Sequence, residues 1–326
     1  MGKNDCEKKK CHKTSIGGQA VIEGVMMLGP KKRAISVRKP DGEIITDIKE
    51  LDSALHKSKI LKLPILRGVV SFFNSLVMGT KALMFSAELV DVEDDETKEK
   101  KKEMTQEEIE KEEKKQSKIM SVAIMGSVII SLLFSVGLFI MLPAFLVGLL
   151  RDLCFPTIPN ILATLIEGVV RITIFVVYIF LASLMKDIRR VFEYHGAEHK
   201  SIFCYESGEE LTVENARKFS RLHPRCGTSF MLIVMVVSII LFSFISWENT
   251  WIRLGLRLLL LPVVAGLSYE VIKLAGRSSG IIMKIVSAPG KWLQKITTRE
   301  PDDTQLEVAI ASLKAVMPEN KEDAKW

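Results

Sequence analysis

The chain has 326 residues, 48% of them hydrophobic, and a formal net charge of +6. Length alone would allow two soluble domains, but the apolar residues fall in long uncharged blocks, which excludes an ordinary water-soluble fold. The basic residues flank those blocks, as they do at a bilayer, and no nucleic-acid partner is expected.

The first segment, MGKNDCEKKKCHKTS, has no apolar core and is not a signal peptide. Residues 1–14 read as a disordered basic tail. Cys6, Cys11 and His12 have metal-binding chemistry, but a frayed basic tail is the better reading of them.

Residues 15–62 form a cytoplasmic β-hairpin region. RAISVRK and EIITDIKE flank PDG, a turn signal between two strand-like runs. GGQAVIEGVMMLGP precedes them and reads as a bent strand leading into the hairpin. It lacks phosphate-loop spacing, so Gln19 and Glu23 stand only as candidates for a polar site.

Over residues 63–90, Arg67, Asn74, Lys81 and Glu88 recur seven apart on an otherwise apolar helix. Such an amphipathic, membrane-associated helix lies at the interface or packs beneath the bundle, and an ordinary amphipathic core helix accounts for the pattern equally well. Lys81 near its middle argues against a simple further span. Residues 91–118 are dominated by charge and read as a solvated linker.

Residues 119–275 are expected to form a four-helix transmembrane domain, making the chain a mainly α membrane protein. The spans are Ile119 to Leu150, Asn160 to Met185, Phe230 to Trp247 and Ile252 to Ala275. Each approaches or exceeds the roughly 20 residues that cross a hydrocarbon core. Pro143 either ends the membrane part of the first span or kinks it. Lys118, Arg189, Arg221 and Lys273 mark the basic side of successive spans, which puts both termini and the middle loop in the cytoplasm of a multi-pass plasma-membrane protein. Cytoplasmic cysteines remain thiols there, and Cys154 falls in an outer loop without an obvious partner. Residues 276–326 read as cytoplasmic amphipathic helices.

The middle loop, 186–228, carries the chemistry. In EYHGAEHK, His195 and His199 stand four apart and share one face if helical. HGAEH fits H-x-x-E-H, the reversed zinc-peptidase pattern, with Glu198 as general base. Helix-end histidines that cap carbonyls or pair with Glu193 and Glu198 would read the same way. RLHPRCGTSF adds His223 and Cys226 just before the third span. If the second span ran on as one helix, His195 would lie about 15 Å beyond the membrane boundary. A bend at Gly196 or near Arg189, or a deeper start to the third helix, would let the two halves meet. In the bilayer, Glu167 and Arg171 are four apart in the favourable order for a helix pair, with Arg257 at a similar depth. They are an ion-path candidate or a self-satisfied pair.

GGQAVIEGVMM, LRG at Leu66 to Gly68, YHGAEHK, HPRCGTSF and EPDDTQLEVAIASLK together resemble the YqhQ-type bacterial integral membrane proteins. That family is of unknown function and is described as predicted metal-dependent enzymes. The resemblance implies that His195, His199, His223 and Cys226 occupy motif positions, and it supplies no substrate.

Three classes of function follow. One is a hydrolase-like metal enzyme at the cytoplasmic membrane face, with a divalent ion, zinc by its donors. Another is a membrane assembly or adaptor protein with a structural ion, taking membrane-protein partners or a second copy of itself. The last is a transporter built around Glu167 and Arg171. Three protein ligands favour the first class and four the second.

Overall fold

The computed structural model describes residues 14–51, 63–90, 126–154, 156–224, 226–244, 250–277 and 281–320. Cys6, Cys11, His12, the charged linker 91–118 and the start of the first expected span lie outside them. The chain divides into two units, residues 1–90 with 176–326, and residues 91–175.

The first unit opens with an antiparallel meander of β1 (Gly17–Val21), β2 (Gly24–Leu28), β3 (Lys32–Arg38) and β4 (Ile44–Glu50), in that order across the sheet. The expected hairpin is β3–β4, in which Arg38 faces Ile44. Its turn is made by Gly42, with φ +91°, and by the Asp41 carboxylate, which accepts the Glu43 N–H at 3.0 Å. GGQAVIEGVMMLGP is not one bent strand but a second hairpin, in which Val21 faces Gly24 across a two-residue turn. Glu23 takes the left-handed conformation there, with φ +50°.

The sheet is buried on both faces because its apolar side chains alternate. Val25, Met27 and Ala34 pack with Tyr194, Ala197, Leu306 and Leu313. Val21, Met26, Ile35 and Val37 face the other way, onto Ala82 and Phe85 of α1 (Leu66–Val90). The first layer is α4 (Lys186–Glu206) with α9 (Asp303–Val316). The sequence reading treats 186–228 as a loop; α4 fills half of it and is nearly wholly buried from Tyr194 onward. The bend that separates α4 from the membrane is at Ser183 to Met185, before both places where it was expected, and Met185 is extended with ψ 135°.

After α5 (Val213–Arg217), the first unit continues through α6 (Gly227–Ser243), α7 (Thr250–Arg277) and α8 (Ile281–Thr297). The second unit contains α2 (Gly126–Leu153) and most of α3 (Asn160–Ala182). Pro143 does not end its helix. It lacks an N–H, and a π-helical turn over Gly137–Met141 precedes it so that the helix runs on.

Among the described residues, four helices are long and apolar enough to cross a membrane: α1, α2, α3 and the Gly255–Leu274 part of α7. The chain is a membrane protein, mainly α-helical with a small N-terminal sheet. One member of the expected set differs. α6 is apolar but only 17 residues long, whereas α1 meets the length and hydropathy of a span. The second half of α1 nonetheless packs on the sheet, as an amphipathic helix would.

Candidate metal centre

α4 carries His195 and His199 on one face, as residues four apart must be, with their rings 4.5 Å apart. The His195 Nδ1–H donates to the Thr297 carbonyl at 2.9 Å, and the His199 Nδ1–H donates to the Arg221 carbonyl at 2.5 Å. A carbonyl only accepts, so both rings are fixed with the proton on Nδ1 and with Nε2 turned to the other side. His195 Nε2 is 3.1 Å from the Cys226 sulfur. His199 Nε2 is buried without a hydrogen-bond partner. The three donor atoms of His195, His199 and Cys226 lie within 4.8 Å of one another.

Gly196 explains how the carbonyls come so close. A Cβ at this position would stand 2.0 Å from the Arg299 carbonyl oxygen. The absent side chain lets the segment after α8 cross α4, where the Arg299 N–H donates to the Phe192 carbonyl at 2.8 Å. Thr297 is thereby brought to His195. On the other wall, Gln294 of α8 clamps the His223 backbone, accepting its N–H at 2.7 Å and donating to its carbonyl at 2.8 Å.

Cys226 is the N-cap of α6, and its sulfur accepts the Thr228 N–H at 3.5 Å. Burial would push this thiol up, but the two imidazoles outweigh it and hold the thiol well below its usual range. A helix N-terminus acts in the same direction. Burial would also lower His195, yet the facing sulfur, with smaller help from Glu198 and Thr297, lifts it to about 9. The sulfur is thereby biased to the thiolate, the form of cysteine that binds a cation. Two imidazole nitrogens and a thiolate are a zinc-type donor set, and the carbonyls on Nδ1 are the outer partners that metal-binding histidines use.

Glu198 lines the same cavity, of about 240 Å³, as His199, His223 and Cys226. Burial raises its carboxyl above the usual range, against the neighbouring histidines, which lower it. The Gly18 N–H holds the carboxylate, and Oε2 is buried with no hydrogen-bond partner. His223 adjoins but faces away from the triad. Its ring is 5.5 Å from that of His199, and its Nε2 lies 3.8 Å from the buried Glu206 carboxylate.

The other candidates are placed elsewhere. Glu193 accepts from Gln305 at 3.1 Å. Glu23 is bound by the Arg190 guanidinium and accepts the Tyr194 hydroxyl at 3.2 Å. Gln19 lies on the cavity wall with its side chain against Gly79 of α1. In the second unit, Arg171 donates to Glu167 at 2.8 Å, both buried. Arg257, in the first unit, has its guanidinium 5.5 Å from the Phe242 ring centre. Thr297, Arg221, Gln294 and Gly18 were not foreseen. The first two act through backbone carbonyls, which carry no residue-type signal.

Residues 63–319 match the family described as "Protein of unknown function (DUF1385)". The chain is 38% identical over 309 residues to "Uncharacterized protein YqhQ" of Bacillus subtilis (strain 168), covering 93% of this chain and 92% of that one. No solved structure matches. The chain belongs to the DUF1385 family.

Proposed function

Starting from membership of that family, we propose that the chain is a membrane hydrolase. In this reading His195, His199 and Cys226 hold a divalent ion, zinc by its donors, and Glu198 is the general base. One observation carries it: two rings fixed by carbonyls turn their Nε2 atoms toward a thiol, beside a buried carboxylate oxygen with no partner. Three protein ligands leave a position open for chemistry, where four would close it.

Bound there, the ion would supply Lewis acidity and lower the pKa of water towards about 7. Glu198 takes the proton from water and passes it to the leaving group. Its second oxygen stays free for this because the Gly18 N–H holds the carboxylate in place. His223, paired towards Glu206, borders the site without joining the ligand set.

The distribution of basic residues supports a cytoplasmic site with both termini on that side. A thiol reporter introduced at Gly208 should resist a membrane-impermeant reagent in intact cells, and labelling there would refute this orientation. An assembly protein with a structural ion would need a fourth protein ligand.

Glu198→Gln separates the two functions, since it keeps the shape and removes the base. In a deletion strain, the variant should accumulate in the membrane, hold wild-type metal and fail to complement. Full complementation by Glu198→Gln would overturn the enzyme in favour of the scaffold.

A further inference from the structure

We infer that the substrate is a membrane amphiphile, bound with its polar end in the cavity and its apolar chain along α1. The inference rests on the reading above and adds the substrate class to it.

The cavity has two kinds of wall. Glu198, His199 and Cys226 form a polar end, while Met26, Leu28 and Met78 form an apolar one. Ser15, Gly18 and Ser75 line it and are exposed, so its mouth lies between β1 and α1. α1 makes a transition at this point. Its first half packs on α7, where Arg67 pairs with Glu270, and its second half packs on the sheet. The mouth therefore sits where a span-like helix leaves the apolar bundle for the water-side sheet, at the level of a bilayer surface.

The approach from the bilayer side is apolar. Phe73, Leu76 and Val77 of α1 are at least half exposed, a surface whose natural partner is an acyl chain. Phe72, one turn before Ser75, meets Phe230, one turn after Cys226, with ring centres 6.2 Å apart. This aromatic pair joins α1 to α6, one turn from Ser75 and Cys226 of the cavity wall. At about 240 Å³ the cavity is smaller than the roughly 300 Å³ at which drug-sized pockets begin. It takes the head of an amphiphile and leaves the tail outside.

An extended peptide fits less well. β1 is the outer strand, and a peptide substrate would pair with its free edge. Side chains already take N–H groups on that edge and just beyond both its ends, at four-residue intervals. The Thr14 N–H donates to Glu206 at 2.7 Å, the Gly18 N–H to Glu198, and the Ile22 N–H to Ser86 at 3.2 Å.

The test uses the full chain in vesicles of phosphatidylethanolamine and phosphatidylglycerol, the latter carrying a diazirine on its acyl chain near the glycerol. Labelled residues are located by mass spectrometry and metal content is measured in parallel. Wild type should be labelled at Met78 and at Met26 or Leu28. Ser75→Trp, which blocks the mouth, should cut cavity labelling several-fold at unchanged metal content. Label confined to outward residues such as Leu76 and Val77, or cavity label competed by an extended peptide but not by unlabelled phosphatidylglycerol, would overturn the inference. Cavity labelling with the expected variant pattern in protein that binds no metal would keep the amphiphile and remove the metal.

Discussion

Two buried clusters in this chain are built on the same helical spacing and end differently. In α3, Glu167 and Arg171 stand four apart and bond to each other at 2.8 Å. In α4, His195 and His199 also stand four apart, but each spends its Nδ1 on a distant carbonyl, leaving His199 Nε2 and Glu198 Oε2 buried without hydrogen-bond partners. Spacing decides which side chains meet. The α3 side chains meet as opposite charges that neutralise each other, whereas the α4 side chains and Cys226 are three donors of the kind that ligate one ion.

The comparison breaks most sharply on metal. Replacing both His195 and His199 with alanine should take the purified protein from about one zinc-like ion per chain to none, since one remaining thiolate cannot hold it. The same analysis on Arg171→Ala should show wild-type content. Ion retained at full stoichiometry in the double histidine variant would reduce the α4 cluster to structure.

The α3 pair makes the opposite claim. Removing Arg171 takes the hydrogen-bonded counter-ion from a buried carboxylate, so Arg171→Ala should cost up to about 3–5 kcal/mol. Replacing both partners with leucine should recover most of that loss, because well-packed apolar residues often match a buried ion pair. Thermal unfolding in detergent measures both. A double variant as unstable as the single one would show that the charges serve something beyond each other.

Gly196 sharpens the line between ligand and support. Gly196→Ala changes no ligand, but its Cβ would press on the Arg299 carbonyl and push the Thr297 carbonyl off His195. Metal affinity should fall about 10- to 100-fold, the usual consequence of losing an outer partner. Stability should fall by about 1–3 kcal/mol from overpacking. Titration with a competing chelator reads the first effect and thermal unfolding the second. Unchanged affinity would show that the carbonyl on Nδ1 is dispensable.

The same contrast explains what could be read from the sequence. α3 and α7 announce themselves as long, mostly apolar blocks, and PDG announces the β3–β4 hairpin through turn chemistry. The β1–β2 hairpin stays hidden because its turn, Ile22 and Glu23, holds none of the usual turn residues. The histidines are legible by spacing and Cys226 by donor type. Their meeting is not, since it depends on a bend at Ser183 to Met185 that contains neither proline nor glycine. It also depends on carbonyls that any residue could supply. EPDDTQLEVAIASLK shows the same gap. Glu300 pairs with the buried Lys200 at 2.8 Å, Asp303 pairs with Arg217, and Gln305 holds Glu193. These residues fasten α9 and the segment before it to α4 and the loop that carries Arg221, and partners so far along the chain leave no local pattern.

The smallest expected effect lies in that fastening, at Asp302. Its carboxylate accepts the Gln305 N–H at 2.9 Å while the Gln305 side chain accepts the Asp302 N–H at 3.0 Å, a reciprocal cap on α9. Burial works to raise the Asp302 carboxyl, but the Thr304 hydroxyl and the Gln305 N–H outweigh it and leave it below its ordinary range. A carboxylate depressed on folding stabilises the fold above its unfolded pKa, near 4, and loses that contribution as pH falls through the lower folded value. Asp302→Ala should therefore cost about 1 kcal/mol at neutral pH. The gap from wild type should narrow on acidification through the carboxylate range. Because α9 packs against the half of α4 that carries the histidines, and not on the ligands, metal stoichiometry should stay at the wild-type level. A loss of metal larger than the loss of stability would mean that the C-terminal helix shapes the site itself, and the boundary between site and support would have to be drawn further out than Gly196 and Thr297.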